Sequence, residues 1–153
     1  MNRTTAPEPN ELQAWDARLE TGVSTIDLQH RVLFDLLQGL RAGDAPDRIP
    51  GLAQVLEQLK AYADYHFQYE EAWVLQQAGG HPQAAGHGRL HASFTCDLTD
   101  LEARLLRGEL GVGDVRAFLL RWLIGHIVEQ DLPMIRALRS RVSSASGALF
   151  REA

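Results

Sequence analysis

Four stretches of helical hydrophobic period, set apart by short Gly-, Pro- and Asp-rich breaks, constrain this 153-residue chain more than any other feature. The first runs from about Ser24 to Leu40, where Ile26, His30, Leu33, Leu37 and Leu40 recur at helical spacing. Ser24 with Asp27 reads as a capping box at its start. The break AGDAPDRIP leads into a second stretch, about Pro50 to Gln77, with Pro50 suited to a first helical position. Its stripe is Leu52, Leu56, Leu59 and Ala63, continued by His66, Glu70 and Val74. After GGHPQ, a third stretch from about Gln83 to Arg107 aligns His87, His91, Phe94, Leu98, Leu101 and Leu105. After GELGVG, a fourth from about Asp114 to Arg141 aligns Val115, Phe118, Leu119, Trp122 and His126. No strand-like alternation competes. Four such helices with short connections predict an all-α fold, an antiparallel up-down-up-down four-helix bundle.

The length suits a single domain over 1–153, with an ordered core from about 15 to 141 between polar tails. Leu149 and Phe150 in the C-terminal tail are placed to dock. A 45% hydrophobic and 23% charged composition predicts a soluble globule. The net charge of -5, with scattered arginines and Lys60 as the one lysine, argues against nucleic acid or an anionic membrane as partner. No apolar run reaches the roughly 18 residues of a membrane span, and the N-terminus lacks a signal-peptide core. Cys96 is the single cysteine, which excludes an internal disulfide and favours a reducing, cytoplasmic setting. It is expected as a small buried hydrophobe.

The histidines stand where leucines would be expected. His30, His66, His87, His91 and His126 each continue an apolar stripe, and together they draw on all four stretches. One histidine on such a face is ordinarily a hydrogen-bonded core residue. Five, converging from four helices, demand another explanation, because unpaired buried imidazoles are costly and neutral imidazole is a common metal ligand. Glu70 lies four residues after His66 and shares its face, whereas Glu71 points about 100° away and reads as a solvated glutamate. His87 and His91, one turn apart, form a compact helical chelate. His81, in the GGHPQ break, reads as a solvated loop residue.

These residues carry a resemblance. TGVSTIDLQH ending at His30, HFQYEEA with His66 and Glu70, HGRLHASF with His87 and His91, and WLIGHIVEQD with His126 and Asp131 closely resemble the hemerythrin family in its single-domain bacterial form. Trp15 fits as well, and the resemblance spans roughly Trp15 to Arg139. It implies a non-haem di-iron centre in a four-helix bundle that binds dioxygen reversibly, as an oxygen-binding protein and not an enzyme. Carried over, His87, His91 and His126 would hold one iron, His30 and His66 the other, with Glu70 and Asp131 bridging. Trp122 and Leu123 resemble positions near the oxygen pocket, and Ile127 lies beside His126; Phe67 and Trp73 read as core.

The ligand count agrees with such a role. Each bridging carboxylate gives one oxygen to each iron, and a bridging hydroxide or oxo group, expected from the family, adds one more. The three-histidine iron is then six-coordinate. The two-histidine iron keeps one open position, where dioxygen should bind. Ferritin-like oxidases use more carboxylates, with paired Glu-x-x-His motifs; Asp27-x-x-His30 is the nearest match here, and it occurs once. Fewer anionic ligands favour a modest two-electron change over high-valent iron. Ligand type alone does not separate iron from zinc or manganese. A di-iron enzyme on the same scaffold, a ferroxidase or a handler of peroxide or nitric oxide, is the alternative. The cellular use would be storage, delivery to an oxygen-consuming enzyme, scavenging or sensing. The absence of a fused signalling domain leans toward a carrier, with a monomer favoured.

One spacing conflicts with a regular helix. His126 and Asp131 are five residues apart, which puts them about 140° apart around an α-helix. Bringing both to one site requires the backbone to widen by one residue. Pro133 cannot donate to the carbonyl of Glu129 and disfavours a regular turn there. A π-type turn or kink between Gly125 and Pro133 is therefore predicted.

Overall fold

The computed structural model of the chain describes residues 14–40, 49–78 and 82–148. His81, most of the N-terminal tail, and Leu149 and Phe150 lie outside these residues, and the side chain of Leu52 is not described. Among the described residues five α-helices follow in order: α1 Ser24–Gln38, α2 Ile49–Ala78, α3 Pro82–Leu106, α4 Val112–His126 and α5 Leu132–Ala148. A single π turn, Ile127–Asp131, joins α4 to α5 without a break in right-handed helical geometry. The pair therefore forms one rod, and the architecture is the four-helix bundle expected. Helix α1 packs on α2 and α4, α2 also on α3, and α3 on α4, which closes the ring.

The start of α1 differs from expectation. Ser24 is the first helical residue, and Val23 precedes it with no side-chain cap. The cap comes from Asp27 instead. Its carboxylate accepts the Thr21 N–H and hydroxyl, both at 2.7 Å, and the Gly22 N–H at 3.0 Å. A first-turn carboxylate is also favoured by the helix dipole. Gly22 is required here: its φ is +82°, and a Cβ would meet the Arg139 guanidinium. The fourth rod begins at Val112, with Asp114 accepting the Gly111 N–H at 2.9 Å. It continues to Ala148, past the end expected near Arg141.

The stripes read from the sequence form the core. Leu33, Leu37, Leu56, Leu59, Phe94, Leu98, Leu119 and Leu123 are buried in one large apolar cluster. Each such side chain contributes about 1.5–3 kcal/mol when fully buried. A smaller cluster of Ile26, Val74, Met134, Ile135 and Leu138 lies further along the bundle. In sequence, His30 falls between Ile26 and Leu33, His66 and Glu70 between Ala63 and Val74, and His126 and Asp131 between Leu123 and Ile135. The polar residues therefore form a layer between two apolar ones. Cys96 is exposed, contrary to expectation. It follows Phe94 by two residues, about 200° around the helix from the buried stripe.

Among the described residues, no helix is long and apolar enough to cross a membrane.

Candidate metal centre

The five-residue spacing of His126 and Asp131 is accommodated as the backbone argument required. In the π turn the Leu132 N–H donates to the Ile127 carbonyl, five residues back, in place of the usual four. The added residue rotates Asp131 onto the His126 face, so that His126 Nε2 and Asp131 Oδ1 are 3.0 Å apart.

All seven singled-out residues converge and are buried. His30, Glu70 and Asp131 are 0% exposed, and His66, His87, His91 and His126 no more than 7%. Their donor atoms fall into two groups: Glu70 with His87, His91 and His126, and Glu70 with His30, His66 and Asp131. Glu70 belongs to both. Asp131 is divided between them by its oxygens. Oδ1 faces His126 at 3.0 Å and His87 at 3.3 Å, while Oδ2 faces His30 Nε2 at 3.2 Å. Glu70 Oε2 lies 3.0 Å from His87 Nε2, 3.3 Å from His91 Nε2 and 3.8 Å from His66 Nε2.

These atoms are poorly matched as hydrogen-bonding partners for one another. His30 Nδ1 and Nε2, Glu70 Oε1 and both Asp131 oxygens are buried without a hydrogen-bond partner among the described residues. Each such atom costs roughly 1–3 kcal/mol. His91 Nε2 and His126 Nε2 face each other at 3.0 Å, so at most one carries a proton. Two nitrogens bound cis to one metal at about 2.1 Å would be separated by about 3.0 Å, which matches that contact. The donor set, its spacing and its unpaired atoms therefore fit a pair of metal ions.

The electrostatics keep His66, Glu70 and Asp131 in a metal-ready form and shift His87 the other way. Burial, reinforced by nearby His30, lowers the His66 pKa to about 3, so the ring is neutral at neutral pH. Burial and the Asp131 charge push Glu70 up, but the hydrogen bond from His87, with the His91 and His66 rings close by, outweighs them and leaves it lowered to about 2. Burial likewise opposes ionisation of Asp131, yet His126 and His30 hold it below the ordinary carboxylate range. His87 is pulled down by burial and raised on balance by its hydrogen bond to Glu70. Anionic carboxylates and neutral imidazole are the states that bind metal.

Comparison with known proteins places the chain in a family of cation-binding domains. The hemerythrin HHE cation binding domain matches residues 21–138. The chain belongs to the hemerythrin HHE family. It is 30% identical over 130 residues to a bacteriohemerythrin of Pseudomonas aeruginosa, covering 84% of this chain and 83% of the relative. It is 30% identical over 122 residues to a bacteriohemerythrin of Methylococcus capsulatus, covering 78% and 92% respectively. A hemerythrin-like protein of Naegleria gruberi is 28% identical over 130 residues, covering 84% and 93%.

Aromatic rings wall this hemerythrin cluster on the side of the large core. Phe67 stacks on His91 with centroids 3.9 Å apart, and Trp122 stacks on His126 at 4.6 Å. Trp15 lies 6.5 Å from His30 and edge-on to Phe34. A small, wholly apolar cavity opens beside these rings, lined by Leu33, Ala63, Phe67, Trp122 and Leu123, among others. Ile127 is fully buried next to His126, outside that lining. Trp73 packs against the smaller apolar cluster, partly buried.

Two contacts were not legible in the sequence. Glu71, expected in solvent, accepts from His91 Nδ1 at 2.8 Å through Oε1 while its side chain remains 46% exposed. Gln29, buried on α1, has Oε1 2.9 Å from His66 Nδ1. Hydrophobic period reports which face is inside. It does not report which polar residue at a helix–helix seam reaches a ring across it.

Proposed function

We propose that the chain binds dioxygen reversibly at a non-haem di-iron centre held by His30, His66, Glu70, His87, His91, His126 and Asp131. The observation that carries this reading is the unequal division of donors: three imidazoles on one side and two on the other, around Glu70 and Asp131. Two iron ions, when bound, supply the electrons that hold dioxygen and recover them when it leaves. Asp131, with one oxygen toward each group, and Glu70, common to both, would be shared between the two ions, and the side with fewer histidines would have room for a diatomic ligand.

The protein's own part is to shape that position and keep it dry. His30 and His66 are at most 1% exposed, and Leu33 and Ala63 lie one turn from them. Trp122 and Leu123 line the apolar cavity together with Leu33 and Ala63, and Ile127 is buried next to His126, so that these residues would supply the apolar wall around the ligand. Such a wall excludes the water and protons that promote irreversible oxidation. Neutral His66 and anionic Glu70 and Asp131 have no proton of their own to release at neutral pH when metal binds. The role is that of a cytoplasmic, monomeric oxygen carrier, store, scavenger or sensor without turnover of its own.

The test is optical. Iron-loaded protein is reduced anaerobically, exposed to air and then degassed. A visible charge-transfer band should appear with air and vanish on degassing, with little net oxygen consumption. Steady consumption of oxygen without a persistent band would instead indicate a di-iron enzyme and overturn the carrier reading.

A further inference from the structure

The two sides of the cluster are supported from behind by different chemistry. His91 Nδ1 meets a carboxylate, Glu71, at 2.8 Å, whereas His66 Nδ1 meets the neutral amide of Gln29 at 2.9 Å. His30 Nδ1 has no hydrogen-bond partner among the described residues. In each supported ring the acceptor behind Nδ1 fixes the proton there and turns the Nε2 lone pair toward the cluster. For His91 that lone pair faces His126 Nε2 at 3.0 Å and Glu70 Oε2 at 3.3 Å. Phe67, stacked on the ring with an 11° interplanar angle, limits its tilt.

We propose that Glu71 and Gln29 are positioning residues that set the imidazole tautomers of His91 and His66, and that the Glu71 charge makes the three-histidine side the stronger metal donor. The proposal rests on the di-iron reading above and deepens it. A carboxylate behind a histidine raises the basicity of the coordinating nitrogen more than an amide does. Because Glu71 is 46% exposed, water screens its charge, and the effect on binding is graded. Gln29 is 3% exposed, so its contribution is orientation without charge. The consequence is a built-in order, with the three-histidine side filling first and releasing last.

Glu71→Ala, Glu71→Gln and Gln29→Leu separate these contributions. The readouts are long-range ¹H–¹⁵N spectra of histidine rings in metal-free protein and iron retention against a competing chelator. In wild type, His91 and His66 should both show the Nδ1–H tautomer. Glu71→Ala should mix the tautomers of His91 alone and weaken retention on one side by roughly 10–100-fold. Glu71→Gln should keep the tautomer, since its amide oxygen still accepts, yet move the charge-transfer band. Gln29→Leu should mix the tautomers of His66 alone. A wild type that takes up no iron overturns the functional reading itself. Iron uptake by wild type, with tautomers and retention unchanged in Glu71→Ala, overturns only the role given to Glu71. Circular dichroism confirms that each variant remains folded.

Discussion

His91 and His30 sit on opposite sides of the same two carboxylates, and their surroundings differ. His91 is gripped by a stacked phenylalanine and a charged acceptor, close to the surface through Glu71. His30 is wholly buried, has Trp15 6.5 Å away, faces Asp131 Oδ2 at 3.2 Å through Nε2, and makes no hydrogen bond among the described residues. The protein thus supports His91 from behind, whereas on the other side it supports His66 through Gln29 and leaves His30 without a hydrogen bond. In the di-iron reading proposed above, such a site would separate holding a metal from presenting it to a small ligand.

The comparison breaks most completely if the shared carboxylates are removed. Glu70→Ala should abolish iron binding on both sides, leaving near-background iron by elemental analysis with helical content retained. A variant that keeps its full iron complement would show that Glu70 is no bridge.

Removing one histidine from each side sharpens the contrast. His30→Ala should lose the air-dependent band while retaining about half the iron, because the three-histidine side still offers enough donors for a metal. His126→Ala should lose iron from the better-supported side and weaken retention throughout, since Asp131 then loses its 3.0 Å partner. Identical iron content and spectra in the two variants would remove the distinction.

A smaller effect is expected from acid on the metal-free protein. His66 has a folded pKa of about 3 against an ordinary 6.5, and Glu70 about 2 against 4.5. Both are depressed, so the unfolded chain binds more protons as pH falls. Their stabilising contribution is present above the unfolded values and is lost as pH falls toward the folded ones. His87 is shifted upward and opposes this by losing stability as pH rises. On balance the melting temperature of the metal-free protein should fall between pH 6.5 and 3. A flat or rising profile across that window would contradict the assignment of His66 as a buried neutral ring.

The smallest effect concerns the start of α3, where His87 stands between Gly86 and Gly88. Gly88→Ala should stabilise the helix by about 1 kcal/mol. Its new Cβ would meet Glu71 Oε1 at 3.5 Å, an ordinary contact. Amide hydrogen exchange over residues 84–91 should slow on metal loading in wild type and change less in the variant. Equal protection with and without metal would remove any ordering role for the ligand.

The sequence by itself determined the bundle, because a 3.6-residue apolar period leaves four helices one way to bury their faces. It also singled out the seven polar residues that converge in the core, because imidazole and carboxylate on those faces have no inexpensive place there. It predicted the π turn from a conflict between two periods, since His126 and Asp131 could share a site only if the backbone widened. What it left open depended on contacts between helices. Asp27 and not Ser24 accepts at the start of α1, because its carboxylate reaches back to Thr21 and Gly22. Cys96 lies outside the core, because one residue's rotation about the helix decides its exposure. Glu71 and Gln29 became partners of His91 and His66 only when neighbouring helices set their distances. Periodicity along one helix specifies which way a residue faces. The identity of the atom it meets is settled by packing between helices, and the inequality of the two sides arises there.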